Sequence, residues 1–220
     1  MSNNQLILNL RMLPSMHRND YFVSKTNKEV VEWIDIWPNW PHYGLIIFGP
    51  QRSGKSHLAS VLKTLSAGKI VYANNITKNN VEALFEKQCI IVENLESLVS
   101  EDAMFHLFNM CRENNNKIMI TSSLAPKDLK LKLLDLKSRI LSLPSIGLKF
   151  PDDLLLEQIF LKQFLDKGVM VEKEVISFLL KRVDRSFDSV YNLVSKIDFA
   201  SLEKSRKITI PFVKKYLEED

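Results

Sequence analysis

Apolar and polar positions follow two rhythms along this chain, and the change falls near residue 150. Before it, short apolar runs of strand length alternate with stretches of helical spacing. Leu45-Ile46-Ile47-Phe48 reads as a buried strand, and Leu58, Val61, Leu62 and Leu65 then recur at helical spacing. Ile70-Val71-Tyr72 is the next strand. Cys89-Ile90-Ile91-Val92 follows a helical stretch near Val81–Glu86. Lys117-Ile118-Met119-Ile120-Thr121 follows a helix carrying Met104, Phe105, Leu107, Phe108 and Met110, and a weaker strand is predicted at Gly147-Leu148-Lys149-Phe150. Continuously apolar strands alternating with helices predict an α/β fold: a parallel sheet flanked by helices.

After Pro151 the strand pattern stops. Leu154–Leu165, Glu172–Val183, Phe187–Leu202 and Thr209–Leu217 read as amphipathic helices, with Asp152 as cap of the first and Pro211 in the first turn of the last. The expected organisation is an extended tail over residues 1–14, a nucleotide-binding α/β subdomain over 15–150 and a small all-helical lid subdomain over 151–220.

Composition narrows the class. At 220 residues, 45% hydrophobic and 25% charged, the chain has enough apolar residues for a core. Its net charge of +4 is mild for a protein that lives on nucleic-acid phosphates. With no long apolar span and no leader pattern, a cytoplasmic protein without membrane contact is expected. Two cysteines make no disulfide framework, and the four histidines show no zinc spacing.

The chemistry starts where the first strand ends. Gly49-Pro50-Gln51-Arg52-Ser53-Gly54-Lys55-Ser56, followed by His57, matches GxxxxGK[ST] between a strand and a helix. Glycines let successive backbone N–H groups face phosphate oxygens, and the helix adds its positive end. Lys55 is expected on the β- and γ-phosphates of ATP, or on ADP, and Ser56 on Mg²⁺. Glu93, closing the strand Cys89–Val92, is the candidate metal-side acid. Asn94 stands where a water-activating acid is usual and is neutral, so nucleotide binding is supported and fast intrinsic hydrolysis is not. Glu96 either compensates or is a solvated turn residue. Thr121-Ser122-Ser123 either place hydroxyls near the γ-phosphate or simply end a strand. Arg139, by pattern alone, lies on a solvated helical face.

Taken together, Phe22-Val23-Ser24, the phosphate loop, Val92-Glu93-Asn94-Leu95-Glu96, Thr121-Ser122-Ser123-Leu124-Ala125-Pro126 and Lys137-Ser138-Arg139 resemble the AAA+ module of the DnaA family over about residues 15–220. The sequence stops where DnaA would continue into a DNA-binding domain, and in this it resembles the Hda regulators. Arg206-Lys207-Ile208-Thr209-Ile210-Pro211-Phe212-Val213-Lys214 is similar to their tail. Gln5-Leu6-Ile7-Leu8-Asn9-Leu10 is similar to their hexapeptide for the replicative sliding clamp, the β subunit of DNA polymerase III. As an extended ligand it would offer an amide and alternate leucines to a cleft.

The resemblance implies an AAA+ regulator bound to the clamp that promotes hydrolysis of DnaA-bound ATP and so represses re-initiation of replication. Arg139 matches the arginine finger that acts on a neighbour's nucleotide. Tyr21, Phe22 and Val23 match an adenine wall, though a core contact fits them equally. The lid lacks the usual sensor arginine: Phe187, Asp188 and Ser189 stand there, and Arg185, the nearest substitute, fits a surface salt bridge better. Trp33, Trp37 and Trp40 read as packing against the sheet. Lys127, Lys130, Lys132 and Lys137 read as a solvated face making at most weak DNA contact. Homo-oligomers are compatible with this reading, and its alternatives are a non-catalytic clamp adaptor and a helicase loader.

Overall fold

The apolar runs pair into one parallel sheet of β1 (Gly44–Phe48), β2 (Lys69–Tyr72), β3 (Cys89–Glu93), β4 (Lys117–Ser122) and β5 (Ser145–Gly147), in the order β2-β3-β4-β1-β5. The computed structural model describes residues 16–85 and 87–217. The clamp-like hexapeptide Gln5–Leu10, the rest of the expected tail and Glu86 lie outside the described residues.

Two compact units meet in sequence between Phe150 and Pro151. In the first, alternation along each strand sends side chains to opposite faces of the sheet. Ile46, Ile90, Val92, Ile118 and Ile120 pack with α3 (Glu101–Glu113) and α4 (Leu134–Ser142). Leu45, Ile47, Cys89, Ile91 and Met119 pack with α1 (Lys28–Asp35) and α2 (Lys55–Ser66). Both faces are covered, which is why the strands read as continuous apolar runs. Both cysteines are buried free thiols, and burial pushes them up, Cys89 to about 11 and Cys111 to about 12. Trp33 and Trp37 pack edge-on against buried Trp40, whose indole N–H donates to the Trp33 carbonyl at 2.7 Å.

The second unit is helical among the described residues: α5 (Asp153–Asp166), α6 (Lys173–Leu180), α7 (Phe187–Glu203) and α8 (Ile210–Leu217). Phe160, Phe164, Leu179, Val190, Val194 and Val213 form its core. Asp152 caps α5, its carboxylate accepting from the Leu155 N–H at 2.8 Å. No described helix is long and apolar enough to cross a membrane.

Two predicted elements differ from the sequence pattern, and α1 has no counterpart in it. The helix expected near Val81–Glu86 is a single 3₁₀ turn, Glu82–Leu84. Just before it, the Asn80 amide accepts from the Thr77 N–H and donates to the Asn75 carbonyl, fixing a tight turn at the start of this stretch. The last strand is Ser145–Gly147, not residues 147–150. Leu148 still donates to the Phe48 carbonyl at 2.7 Å, but β1 then turns away at Gly49, so Lys149 and Phe150 have no strand to pair with.

Candidate nucleotide-binding site

The strand order builds the site. Because β4 lies between β1 and β3, the chain leaving β1 must cross two strands before it pairs again. In open α/β sheets ligands bind at the carboxyl ends of strands around such a switch point. Here those ends carry Gly49–Ser56 after β1, Glu93–Glu96 after β3 and Ser122–Ser123 after β4.

Two glycines are required by the loop's surroundings. A Cβ on Gly54, whose φ is +95°, would stand 2.9 Å from the Tyr21 ring, and one on Gly49 would stand 2.8 Å from the Leu148 carbonyl oxygen. The Lys55 ammonium is buried and donates to the carbonyls of Gly49 and Pro50 at 2.8 and 2.7 Å. Burial lowers the Lys55 pKa, while the Glu96 and Glu93 carboxylates work against that shift.

The hydroxyl of Ser56 donates to Glu93 Oε2 at 2.5 Å, across 37 residues of sequence. Glu93 is itself buried. A hydroxyl and a carboxylate at one point form an all-oxygen donor set suited to Mg²⁺, which prefers carboxylate, water and phosphate ligands. The Ser53 hydroxyl is buried in the loop with no hydrogen-bond partner among the described residues. A glycine loop, a buried ammonium, a hydroxyl–carboxylate pair and an unpartnered buried hydroxyl together fit a magnesium-bound nucleotide phosphate chain.

Several sequence candidates land elsewhere. Thr121 is fully buried, and its hydroxyl accepts from the Asn94 N–H at 3.2 Å. It braces the turn after β3 instead of reaching for a phosphate. Asn94 is exposed in the left-handed region with φ 60°, a conformation asparagine tolerates, and its bend sends the chain into the 3₁₀ turn Leu95–Ser97.

Tyr21 does not offer a free adenine wall: its ring packs on Gly54 and lies edge-on to His57 at 5.2 Å. Phe22 and Val23 are the exposed members of that trio. His57 Nε2 donates to the His17 carbonyl at 2.8 Å, so this imidazole ties the segment before α1 to α2. Arg18 secures the same segment by a bidentate pair with Asp35 at 2.8 and 2.7 Å. Gln51 and Arg52 are exposed at the tip of the loop, Arg52 with φ 58°.

Within the lid, Arg185 forms an exposed ion pair with Asp153 at 3.1 Å. That is the surface role, and it withdraws Arg185 from the phosphate candidates. Arg139 is half-buried at the end of α4, its guanidinium 5.6 Å from the Phe105 ring centroid, beside an open recess lined by Asp135, Ser138 and Ser142.

Glu96 is the site residue that pattern undervalued. Its carboxylate accepts from the Ser123 N–H at 3.0 Å. Burial alone would raise its pKa, but its own backbone N–H and the Ser123 and Ser122 groups outweigh that and hold the carboxyl below the usual glutamate range. The signal available was an acid three residues after Glu93 with a turn-forming asparagine between.

Residues 157–217 match the family model described as "Hda, lid domain". The described fold is similar to domain III of the Thermotoga maritima replication initiation protein DnaA, with TM-score 0.76, 16% identity, and 94% of this chain and 98% of that one covered. AMPPCP-bound DnaA from Aquifex aeolicus matches with TM-score 0.69 and 18% identity, covering 87% of this chain and 68% of that one. The Thermotoga maritima RuvB Holliday junction branch migration motor matches with TM-score 0.62 and 15% identity, over 80% of this chain and 61% of that one. At these identities the structural likenesses establish the fold.

Proposed function

We propose that this chain, an AAA+ protein related to Hda and DnaA, binds adenine nucleotide on Gly49–Ser56 and regulates the initiation of chromosome replication. The observation that carries the nucleotide reading is the Ser56–Glu93 hydrogen bond beside the buried Lys55. In this reading Lys55 and the loop N–H groups hold the phosphates. Ser56 and Glu93 hold Mg²⁺, which neutralises charge on the phosphate oxygens when bound. The bound nucleotide, ADP as the resting form, sets the shape of the subunit. The adenine relatives are in line with this: one neighbouring fold carries the ATP analogue AMPPCP.

The regulatory part of the proposal rests on the Hda-type lid together with two sequence features. Gln5–Leu10 docks the protein on the sliding clamp, and Arg139 completes the nucleotide site of a neighbouring DnaA subunit. A guanidinium supplied in trans stabilises charge on the transferring phosphoryl group and is worth about 10³–10⁵ in rate. The side chain is suited to this because it is accessible from the recess and steadied by an aromatic face.

The test is turnover of ATP pre-bound to the cognate DnaA, with clamp loaded on DNA and this protein added. Wild type should accelerate hydrolysis, while Arg139→Ala and Gln5→Ala should not. Acceleration undiminished in Arg139→Ala would refute the finger role. Clamp binding with no acceleration by wild type would leave a nucleotide-switched clamp adaptor in place of the regulator.

A further inference from the structure

We infer that Glu101 is a positioning residue for Arg139: its carboxylate fixes where α4 begins, and with it the place at which the Arg139 guanidinium meets a neighbouring subunit. The inference rests on the reading of Arg139 as a guanidinium supplied in trans and goes beyond it in naming the group that holds that side chain in place.

The start of α4 has no cap of its own. Leu133, the residue before its first turn, carries no side-chain oxygen. Leu136, the third residue of the helix, carries none either, where a glutamate or glutamine could reach back. The missing group comes from α3. Both carboxylate oxygens of Glu101, in the first turn of α3, accept from the Lys132 N–H at 3.0 Å, and Oε2 also accepts from the Leu133 N–H at 2.6 Å. A carboxylate at this end of α4 also faces the positive pole of the helix backbone.

Phe105 stands one turn further along α3, with its ring centroid 5.6 Å from the Arg139 guanidinium. Residues four apart share a helix face, so one face of α3 holds α4 at its start and again at its arginine. The apolar contacts do something different. Leu136 and Ile140 are fully buried in one core with Leu107 and Phe108, which settles the side of α4 that turns inward. Apolar burial is non-directional, whereas hydrogen bonds to two backbone N–H groups fix a position along the helix axis. Arg139 lies six residues beyond Leu133, about 9 Å along that axis, so a displaced or frayed first turn displaces the guanidinium. For a group that completes a neighbour's site, misplacement by about 1 Å can cost roughly a hundredfold in rate.

The experiment follows turnover of ATP pre-bound to the cognate DnaA, with clamp loaded on DNA, at increasing concentrations of this protein. The maximal rate is thereby separated from the half-maximal concentration. Amide hydrogen exchange at Lys132 and Leu133 is measured on the same variants. Glu101→Ala should lower the maximal rate about tenfold, leave the half-maximal concentration within about twofold and speed exchange of both amides. Glu101→Gln, whose amide oxygen accepts from the same N–H groups, should restore most of the rate. Glu101→Asp keeps the charge on a side chain one methylene shorter and should lose about threefold; this variant decides the matter if Glu101→Ala does not fold. A wild-type maximal rate in Glu101→Ala or Glu101→Asp overturns the inference and leaves Arg139 in its role. So does a loss confined to the half-maximal concentration, or a Glu101→Gln variant as slow as Glu101→Ala. No acceleration by wild type, or an undiminished rate in Arg139→Ala, overturns the reading of Arg139 itself.

Discussion

The two units of this protein bury apolar surface in different ways, and the difference explains where its chemistry sits. The helical unit closes one core, with Phe160, Phe164 and Val213 at its centre and polar features such as the Lys167–Asp198 ion pair at its margin. The α/β unit has a sheet covered on both sides, so its polar backbone can surface only where strands end. Those ends gather what the helical core has no place for: a glycine loop, a buried ammonium, a buried carboxylate on a serine and an unpartnered hydroxyl. Amphipathic helices can satisfy their own hydrogen bonds and pack by stripe. A parallel sheet leaves backbone groups and strand-end side chains converging at the carboxyl ends of its strands, where open α/β sheets bind ligands.

The largest expected effect separates the units by function. Lys55→Ala removes a cation and its charge-assisted hydrogen bonds, an expected loss of about 3 kcal/mol or roughly a hundredfold in nucleotide affinity. Calorimetric titration with ADP and Mg²⁺ measures it. An unchanged affinity would mean that the loop is not the binding site.

Separation by stability is the next test. Phe160→Ala empties a fully buried position of the helical core and should cost about 3–5 kcal/mol there. All three tryptophans, Trp33, Trp37 and Trp40, lie in the α/β unit. Tryptophan fluorescence therefore follows that unit alone, while far-ultraviolet circular dichroism follows both. If the units unfold independently, the substitution moves a dichroism transition to lower urea and leaves the fluorescence midpoint in place. Coincident shifts would show one cooperative unit.

The smallest effect concerns the segment strapped to α1. The Arg18 guanidinium beside Asp35 holds its carboxyl below the usual aspartate range. A depressed folded-state pKa contributes stability that is present above the ordinary aspartate value of about 4 and is lost as pH falls through the lower folded value. The pair is partly exposed, so solvent screening limits it to about 0.5 kcal/mol. Stabilities of wild type and Asp35→Asn from urea unfolding should differ by that small amount at pH 7 and converge once the pH falls through the lowered folded-state value. A difference that persists at low pH would rule out the ion pair as its source.

Much of the fold was legible because its signals are local. Leu45–Phe48 and Cys89–Val92 are apolar without a break because both sheet faces are covered, and Asp152 caps the helix whose start it marks. Legibility failed where a distant partner decides. Whether Leu148-Lys149-Phe150 is strand depends on where β1 turns away, and whether residues near Val81–Glu86 are helix depends on how Asn80 closes the preceding turn. Among site residues, the loop was readable as a motif. Position alone leaves Thr121 and Tyr21 with two readings each; in the fold the Thr121 hydroxyl meets the Asn94 N–H, the Tyr21 ring packs on Gly54, and His57 meets the His17 carbonyl.

What the sequence determined by itself, then, is most of the strands and helices and the glycine motif between β1 and α2, because hydrophobic period, caps and glycine spacing act within a few residues. Tertiary structure alone decided which groups meet. That Ser56 donates to Glu93, and that Glu96 reaches Ser123, follows from a crossover that sets β4 between β1 and β3. Strand order is fixed by the simultaneous burial of two sheet faces, a condition satisfied by the whole unit at once and carried by no single stretch of it.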